Sequence, residues 1–237
     1  MSKHLKRLTT PRTWKVSRKE EEWAIKPTAG PHHQAKAVPL GLILRDYLEL
    51  SDTKRESKRI ISSGGIKVDG NIQRDYRFSC GFMDVISIPK MEKHFRILFD
   101  RKSHLVLVPI ETKNASWKLC QIKNKMNLKN AKIQLNLHDG KNITAEKDEY
   151  NIGDVIQLSI KNCKIKKTFR FNKGTVSMIT GGKHIGEIGE IKRIETVSSS
   201  KSNLVYIKSE KEFSTLKDYV FPIGKTKPVI TLPEVKL

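Results

Sequence analysis

The sequence predicts an α+β chain built from several small modules rather than one large domain. A basic extended arm occupies 1–39, a small α/β module 40–88, a β-barrel-like module 89–173 and a second small β-barrel 174–237. Three observations predict this order. Apolar residues at helical spacing begin at Leu40 and lead into a capped second helix and a hairpin signal. From residue 94 onward, short apolar or alternating runs are separated by turn residues. At 174–191, two alternating runs flank a cluster of glycines.

The arm carries Lys3, His4, Lys6, Arg7, Arg12, Lys15, Arg18 and Lys19, interleaved with Leu5, Leu8 and Trp14. Pro11, Pro27, Pro31 and Pro39 break any long helix. A basic arm with one or two aromatic residues suits threading between RNA helices, where charge meets phosphate and a ring stacks on an unpaired base. Such an arm is compatible with disorder in isolation and order on RNA.

In the second module, Leu40, Ile43, Leu44, Tyr47 and Leu48 fall on one face of a short helix, which Ser51-Asp52 break. Thr53 with Glu56 three residues on has the capping-box spacing that opens a second helix. Lys54, Arg55, Lys58 and Arg59 crowd one side of it, Ile60 and Ile61 are expected to turn inward, and Gly64-Gly65 end it. Ile66-Lys67-Val68 reads as a strand, Asp69-Gly70 as a two-residue hairpin turn, and Val85-Ile86-Ser87-Ile88 as a further strand. Two short helices followed by this hairpin resemble the S-four-type RNA-binding domain. That resemblance implies that the basic face of the second helix and the adjoining loops dock on RNA. The matching positions are Arg45, Lys54, Arg55, Lys58, Arg59, Lys67 and Arg74.

Between 89 and 173, His94 to Phe99, His104 to Ile110, Trp117 to Ile122, Ile133 to Leu137 and Val155 to Ile160 read as strands. Lys123, Lys125, Lys129, Lys132, Lys164, Lys166 and Lys167 make this module basic as well. In the last module, Val176 and Met178 alternate before the glycines, and Ile185, Ile188 and Ile191 follow them. Lys183 and His184 sit at the tip of the loop and join the RNA-binding candidates. A Walker-type loop is excluded, because Ser177 stands at its first glycine position and His184 at its last. The spacing instead resembles the KOW motif, which implies an SH3-like barrel. Leu204 to Ile207 and Tyr219 to Ile223 continue that barrel, and a Pro-containing tail runs over 227–233. No internal repeat is present, and Ser198-Ser199-Ser200 is the one low-complexity tract.

Charge is consistent with this reading. Lys+Arg 46 against Asp+Glu 25 give a net charge of +21. Residues 80–173 alone hold 19 basic and 9 acidic side chains, so no single tail explains the excess. Self-repulsion on this scale implies a polyanionic partner, met on several faces. Cys80, Cys120 and Cys163 are odd in number and widely spaced, which points to reduced thiols and to neither a zinc site nor a disulfide framework. No apolar run has the length of a membrane span, and the N-terminus lacks a signal-type core, so the expectation is a soluble intracellular protein.

The whole order of modules resembles the S-four-e ribosomal protein family of the archaeal and eukaryotic small subunit. The blocks that carry the resemblance are 4–8, Gly30-Pro31-His32, 44–48, 81–88, 135–140 and Gly181-Gly182-Lys183-His184. The short stretch after Leu232-Pro233 makes the archaeal type the closer match. The resemblance implies a structural role in the cytoplasmic ribosome: binding small-subunit ribosomal RNA, with neighbouring ribosomal proteins as further partners, and supporting assembly and translation. It implies no cofactor, membrane or small-molecule substrate. S-four-type modules also occur in RNA-modifying enzymes such as pseudouridine synthases, which need an Arg-Leu-Asp-like motif in a catalytic domain. The nearest match, Leu44-Arg45-Asp46, lies on the first helix of the binding module. No Ser/His/Asp, paired-carboxylate or metal-ligand constellation stands out, and adjacent His32-His33 in a Pro-rich arm is a weak metal signal. A transcription elongation factor with a KOW barrel leaves the arm and the S-four-type module without a role.

Overall fold

Residues 4–128, 132–146, 148–196 and 202–233 are described by a computed structural model. The secondary structure is mostly β with few helices, and the chain falls into two units. One holds the residues up to Phe99 with Ser103–Ser116, and the other Asp100–Lys102 with the chain from Trp117 onward.

In the first unit the described residues of the arm form no long helix, as its prolines dictate, but the arm is folded onto the module that follows. Lys6 and Trp23 form an antiparallel bridge. Arg7 N donates to Glu22 O at 2.8 Å and Ala24 N to Leu5 O at 2.9 Å. Trp14 is 2% exposed, and its Nε1 donates to Ala37 O at 2.6 Å. The expected base-stacking role of this ring is therefore corrected: Trp14 belongs to the core. Strand β1 (Ala37–Pro39) pairs with β4 (Ser79–Gly81) and joins the arm to the module.

Helix α1 (Leu40–Leu42) continues as a π-helical turn, Ile43–Tyr47, in which Leu48 N donates to Ile43 O at 3.0 Å. Leu40, Ile43 and Leu44 are buried on its inner face. Helix α2 (Lys54–Ser62) opens on the expected capping box. Glu56 N donates to Thr53 Oγ1 at 3.3 Å, while the Glu56 carboxylate accepts from Thr53 N. Ile61 is buried, but Ile60 is 36% exposed, so only one of the two isoleucines faces the core. At 100° per residue, adjacent side chains cannot share one narrow face.

Strands β2 (Lys67–Val68) and β3 (Asn71–Ile72) pair around the expected turn, with Asp69 at φ +48° and Gly70 at φ +77°. Positive φ at both central residues is what a tight hairpin of this type requires. Strands β5 (Val85–Ile88), β6 (Lys93–Phe99) and β7 (Leu105–Ile110) complete an antiparallel sheet in the order β3-β2-β5-β6-β7. The boundary expected at residue 88 falls inside this sheet, because β6 pairs directly with β5 through Val85↔Arg96 to Ile88↔Lys93. The runs at 94–110 are correctly read as strands, yet short connections tie them to the preceding strand rather than to the following module.

The second unit contains two five-stranded antiparallel sheets. The first comprises β8 (Trp117–Asn127), β9 (Ile133–Leu137), β10 (Asn142–Ala145), β11 (Val155–Ser159) and β12 (Ile165–Phe169), in the order β10-β9-β8-β11-β12. Its core gathers Cys120, Ile122, Leu135, Leu137, Ile156 and Leu158. The second comprises β13 (Val176–Ile179), β14 (Ile188–Glu195), β15 (Leu204–Lys208), β16 (Glu212–Leu216) and β17 (Val220–Gly224), in the order β16-β15-β14-β13-β17. Ile179, Ile191, Val205, Ile207 and Val220 form its core. Between β13 and β14 the glycine loop is pressed against Tyr219. A Cβ on Gly181 would lie 2.4 Å from the ring, and Gly182 takes φ +83°. Ser198-Ser199-Ser200 lies outside the described residues.

Candidate nucleic-acid interface

Helix α2 presents Lys54, Arg55, Lys58 and Arg59 to solvent, all exposed, because its buried side is supplied by Ser57 and Ile61. Ser57 Oγ and Ser51 Oγ are 2.6 Å apart and clamp the inner face to the loop before the helix. Arg55, Lys58 and Arg59 line one shallow groove along this helix with Thr53 and Ser62. Lys54 and Lys58 hold their ammonium groups 5.5 and 5.8 Å from the centre of the Tyr76 ring, close enough for cation–π attraction. The hairpin contributes Lys67, half-buried on β2, and Arg74 is exposed beyond β3. A row of exposed cations on a capped helix is an arrangement able to meet phosphate charge without ordering a flexible segment.

Two predicted positions are occupied inside the fold instead. Arg7 is 3% exposed, and its guanidinium donates to Ser17 O, to Glu21 Oε2 at 2.8 Å and to Asp46 Oδ1 at 3.0 Å. Arg45 Nε donates to Asp46 Oδ2 at 2.9 Å, and its Nη2 lies 3.3 Å from Glu21. The two arginines and the two carboxylates form one network that pins the arm to the π-helical turn. Tyr47 adds to it by accepting from Lys15 N at 2.9 Å. Burial pushes the Tyr47 phenol up to about 12, partly offset by that hydrogen bond and reinforced by Asp46, so it stays neutral. Sequence alone gave no cue that Arg7 pairs with a carboxylate 39 residues away.

Of the remaining arm candidates, Lys6, Arg12, Lys15 and Lys19 are exposed, and Arg18 is half-buried with Nη1 and Nη2 donating to Leu8 O and Pro11 O. Lys3 lies outside the described residues, as does Lys129 of the central module. In the second unit Lys183 is exposed. His184 is not a free loop tip: its ring stacks on Phe213 with centroids 4.1 Å apart, and its Nδ1 is 3.0 Å from Glu187 Oε1. The exposed Trp23, absent from the sequence-based candidates, has no motif to reveal it.

Two histidine clusters test the metal question. His32 Nε2 pairs with Asp84 Oδ2 at 2.9 Å, and His33 Nδ1 accepts from Ala35 N, so the adjacent histidines diverge to different partners. Cys120, His138 and Asp139 bring donor atoms within 4.8 Å of one another. Lys118 Nζ, however, sits 2.5 Å from Asp139 Oδ2 with both side chains 1% exposed, so the carboxylate already carries a buried ammonium. A metal ion there would face like charge, and the cluster is a structural ion pair.

The profile of the Ribosomal family S4e matches residues 91–165, the RS4NT domain matches 1–35, and the S4 domain matches 44–86. The small ribosomal subunit protein eS4 of Methanothermobacter thermautotrophicus is 46% identical over 98% of this chain and 96% of its own. That of Archaeoglobus fulgidus is 47% identical over 97% of each chain. The crystal structure of the 30S ribosomal protein S4e from Thermoplasma acidophilum superposes with a TM-score of 0.71 and 38% identity, covering 81% of this chain and 96% of that one.

Proposed function

We propose that this chain, which belongs to the ribosomal S4e family, is a structural constituent of the small ribosomal subunit that binds small-subunit ribosomal RNA. It is not an enzyme, and it works in the ribosome of the cytoplasm alongside neighbouring ribosomal proteins. Binding runs through phosphate contacts and RNA shape, and supports assembly and translation. One observation carries the reading: the exposed row Lys54, Arg55, Lys58 and Arg59 on a capped helix within the S4 domain. Lys67, Arg74, and Lys6, Arg12, Lys15, Arg18 and Lys19 of the arm extend the phosphate-binding surface, and Arg7 and Arg45 hold the arm that presents it. In the same reading 174–237 is a KOW-type SH3-like barrel, with Lys183 as its contact, and the sheet of β8–β12 is the central module.

The test is binding to purified small-subunit ribosomal RNA across a salt series. With roughly eight phosphates neutralised, log affinity falls against log salt with a slope of about −6. Affinity that ignores salt, or no binding at all, overturns the reading.

A further inference from the structure

Trp23 is 48% exposed, whereas the other two tryptophans, Trp14 and Trp117, are 2% and 7% exposed. An indole left in water forgoes the stabilisation that burial of so large an apolar surface brings. The antiparallel bridge between Trp23 and Lys6 and the bond from Ala24 N to Leu5 O tie this part of the arm down beside the ring. Cations and a second aromatic ring surround it. Lys6 Nζ is 6.0 Å from the Trp23 ring centre, and the His4 ring centre is 5.4 Å away.

Trp23 shares one groove with His4, Lys26, Lys54, Tyr76 and Arg77. The groove's framework is rigid. Arg77 Nε donates to Lys26 O at 3.0 Å, and Thr28 N donates to Arg77 O at 3.0 Å. Tyr76 gathers Lys54 and Lys58 over its ring, so Lys54 belongs both to the groove and to the basic face of α2, with Lys58 beside it on that face.

We infer, on the RNA-binding reading above, that this groove takes an unpaired nucleotide of single-stranded RNA. Its base stacks on Trp23, and its flanking phosphates meet Lys6, Lys26 and Lys54. A base within a duplex already has both faces stacked, so only an unpaired base offers a face to the indole. Phosphates alone would account for the cations but not for the exposed ring.

The intrinsic fluorescence of the full chain reads this directly, because Trp23 is the exposed tryptophan. The protein is titrated with a short unstructured oligouridylate and with a blunt RNA duplex of equal length. The single strand is expected to quench the exposed emission. Trp23→Ala, followed by fluorescence anisotropy of a labelled strand, is expected to lose affinity for it about tenfold while keeping its affinity for the duplex. Trp23→Phe retains a stacking face and recovers most of the loss, which separates stacking from misfolding. Equal affinity of wild type and Trp23→Ala for the single strand, or equal losses for strand and duplex, overturns the inference while leaving ribosomal RNA binding intact. Quenching by polyglutamate but not by oligouridylate assigns the groove to an acidic protein partner and also overturns it. Failure of the wild type to bind ribosomal RNA contradicts the functional reading itself.

Discussion

Arg7 and Asp46 meet at 3.0 Å across 39 residues of sequence, with Arg7 almost fully buried and Glu21 closing the other side of its guanidinium. The pair converts a basic arm into part of the folded module. Its consequence for function is the position of the exposed arm lysines: Lys6, Lys15 and Lys19 lie on a segment anchored next to the helix that precedes α2. A charge assigned to RNA by composition turns out to hold the surface on which other charges are displayed.

Arg7→Ala removes the cation from that network and leaves Asp46, Arg45 and Glu21 to rearrange. Because Glu21 is half exposed, water compensates part of the loss. The expected destabilisation is about 2–3 kcal/mol, read as a lowered midpoint in urea unfolding. A change below about 0.5 kcal/mol contradicts the anchoring role.

Lys118 and Asp139 form the buried pair of the central sheet. Burial alone would raise the Asp139 carboxyl, but Lys118, His138 and the hydrogen bonds from Lys118 and Lys141 outweigh it and leave it below its ordinary value. A lowered folded-state value contributes stability above the unfolded value near about 4, and that stability is lost as pH falls through the folded value. Unfolding midpoints are therefore expected to drop below about pH 4 in the wild type. Lys118→Met strands the carboxylate and costs about 3–5 kcal/mol at neutral pH, and adding Asp139→Asn recovers part of it. Equal stability of Lys118→Met and wild type at pH 7 contradicts the pairing.

Gly181→Val drives a side chain into the Tyr219 ring, since even the first carbon would sit 2.4 Å from it. The expected cost is about 3 kcal/mol, because ring and loop must both move. Tyr219→Ala combined with Gly181→Val is expected to cost less than the sum of the two single changes. Thermal unfolding of the three variants measures it, and an additive result rules out the steric account.

Thr53→Ala removes one half of the box that opens α2, at an expected cost of about 1 kcal/mol. Replacing Lys54, Arg55, Lys58 and Arg59 together by Ala leaves the fold intact, since all four are exposed. It reduces the magnitude of the salt slope for ribosomal RNA by about 3, from roughly 0.7 to 0.9 per phosphate contact. An unchanged slope removes that helix face from the interface.

Local signals made much of this fold legible. Thr53 with Glu56 and Asp69 with Gly70 specify a cap and a turn through bonds only a few residues apart, and both form as read. The strands at 94–110 are equally visible, but their pairing to β5 is one that no alternation encodes, so a boundary read at residue 88 falls inside a sheet. Side-chain destinations were the least legible. Trp14 and Arg7 lie in a segment of low apolar content and look exposed. Their burial depends on Ala37 and Asp46, distant positions whose proximity only the folded chain creates. Trp23 is illegible for the converse reason, since nothing in sequence separates an exposed tryptophan from a buried one.

The most direct test of the account is sedimentation of a tagged copy from its own cells through a density gradient at moderate and then high salt. Co-migration with small subunits at moderate salt, released only at high salt, is the result expected of an integral ribosomal protein held by phosphate contacts. Migration as free protein at moderate salt, or with RNA polymerase, contradicts it.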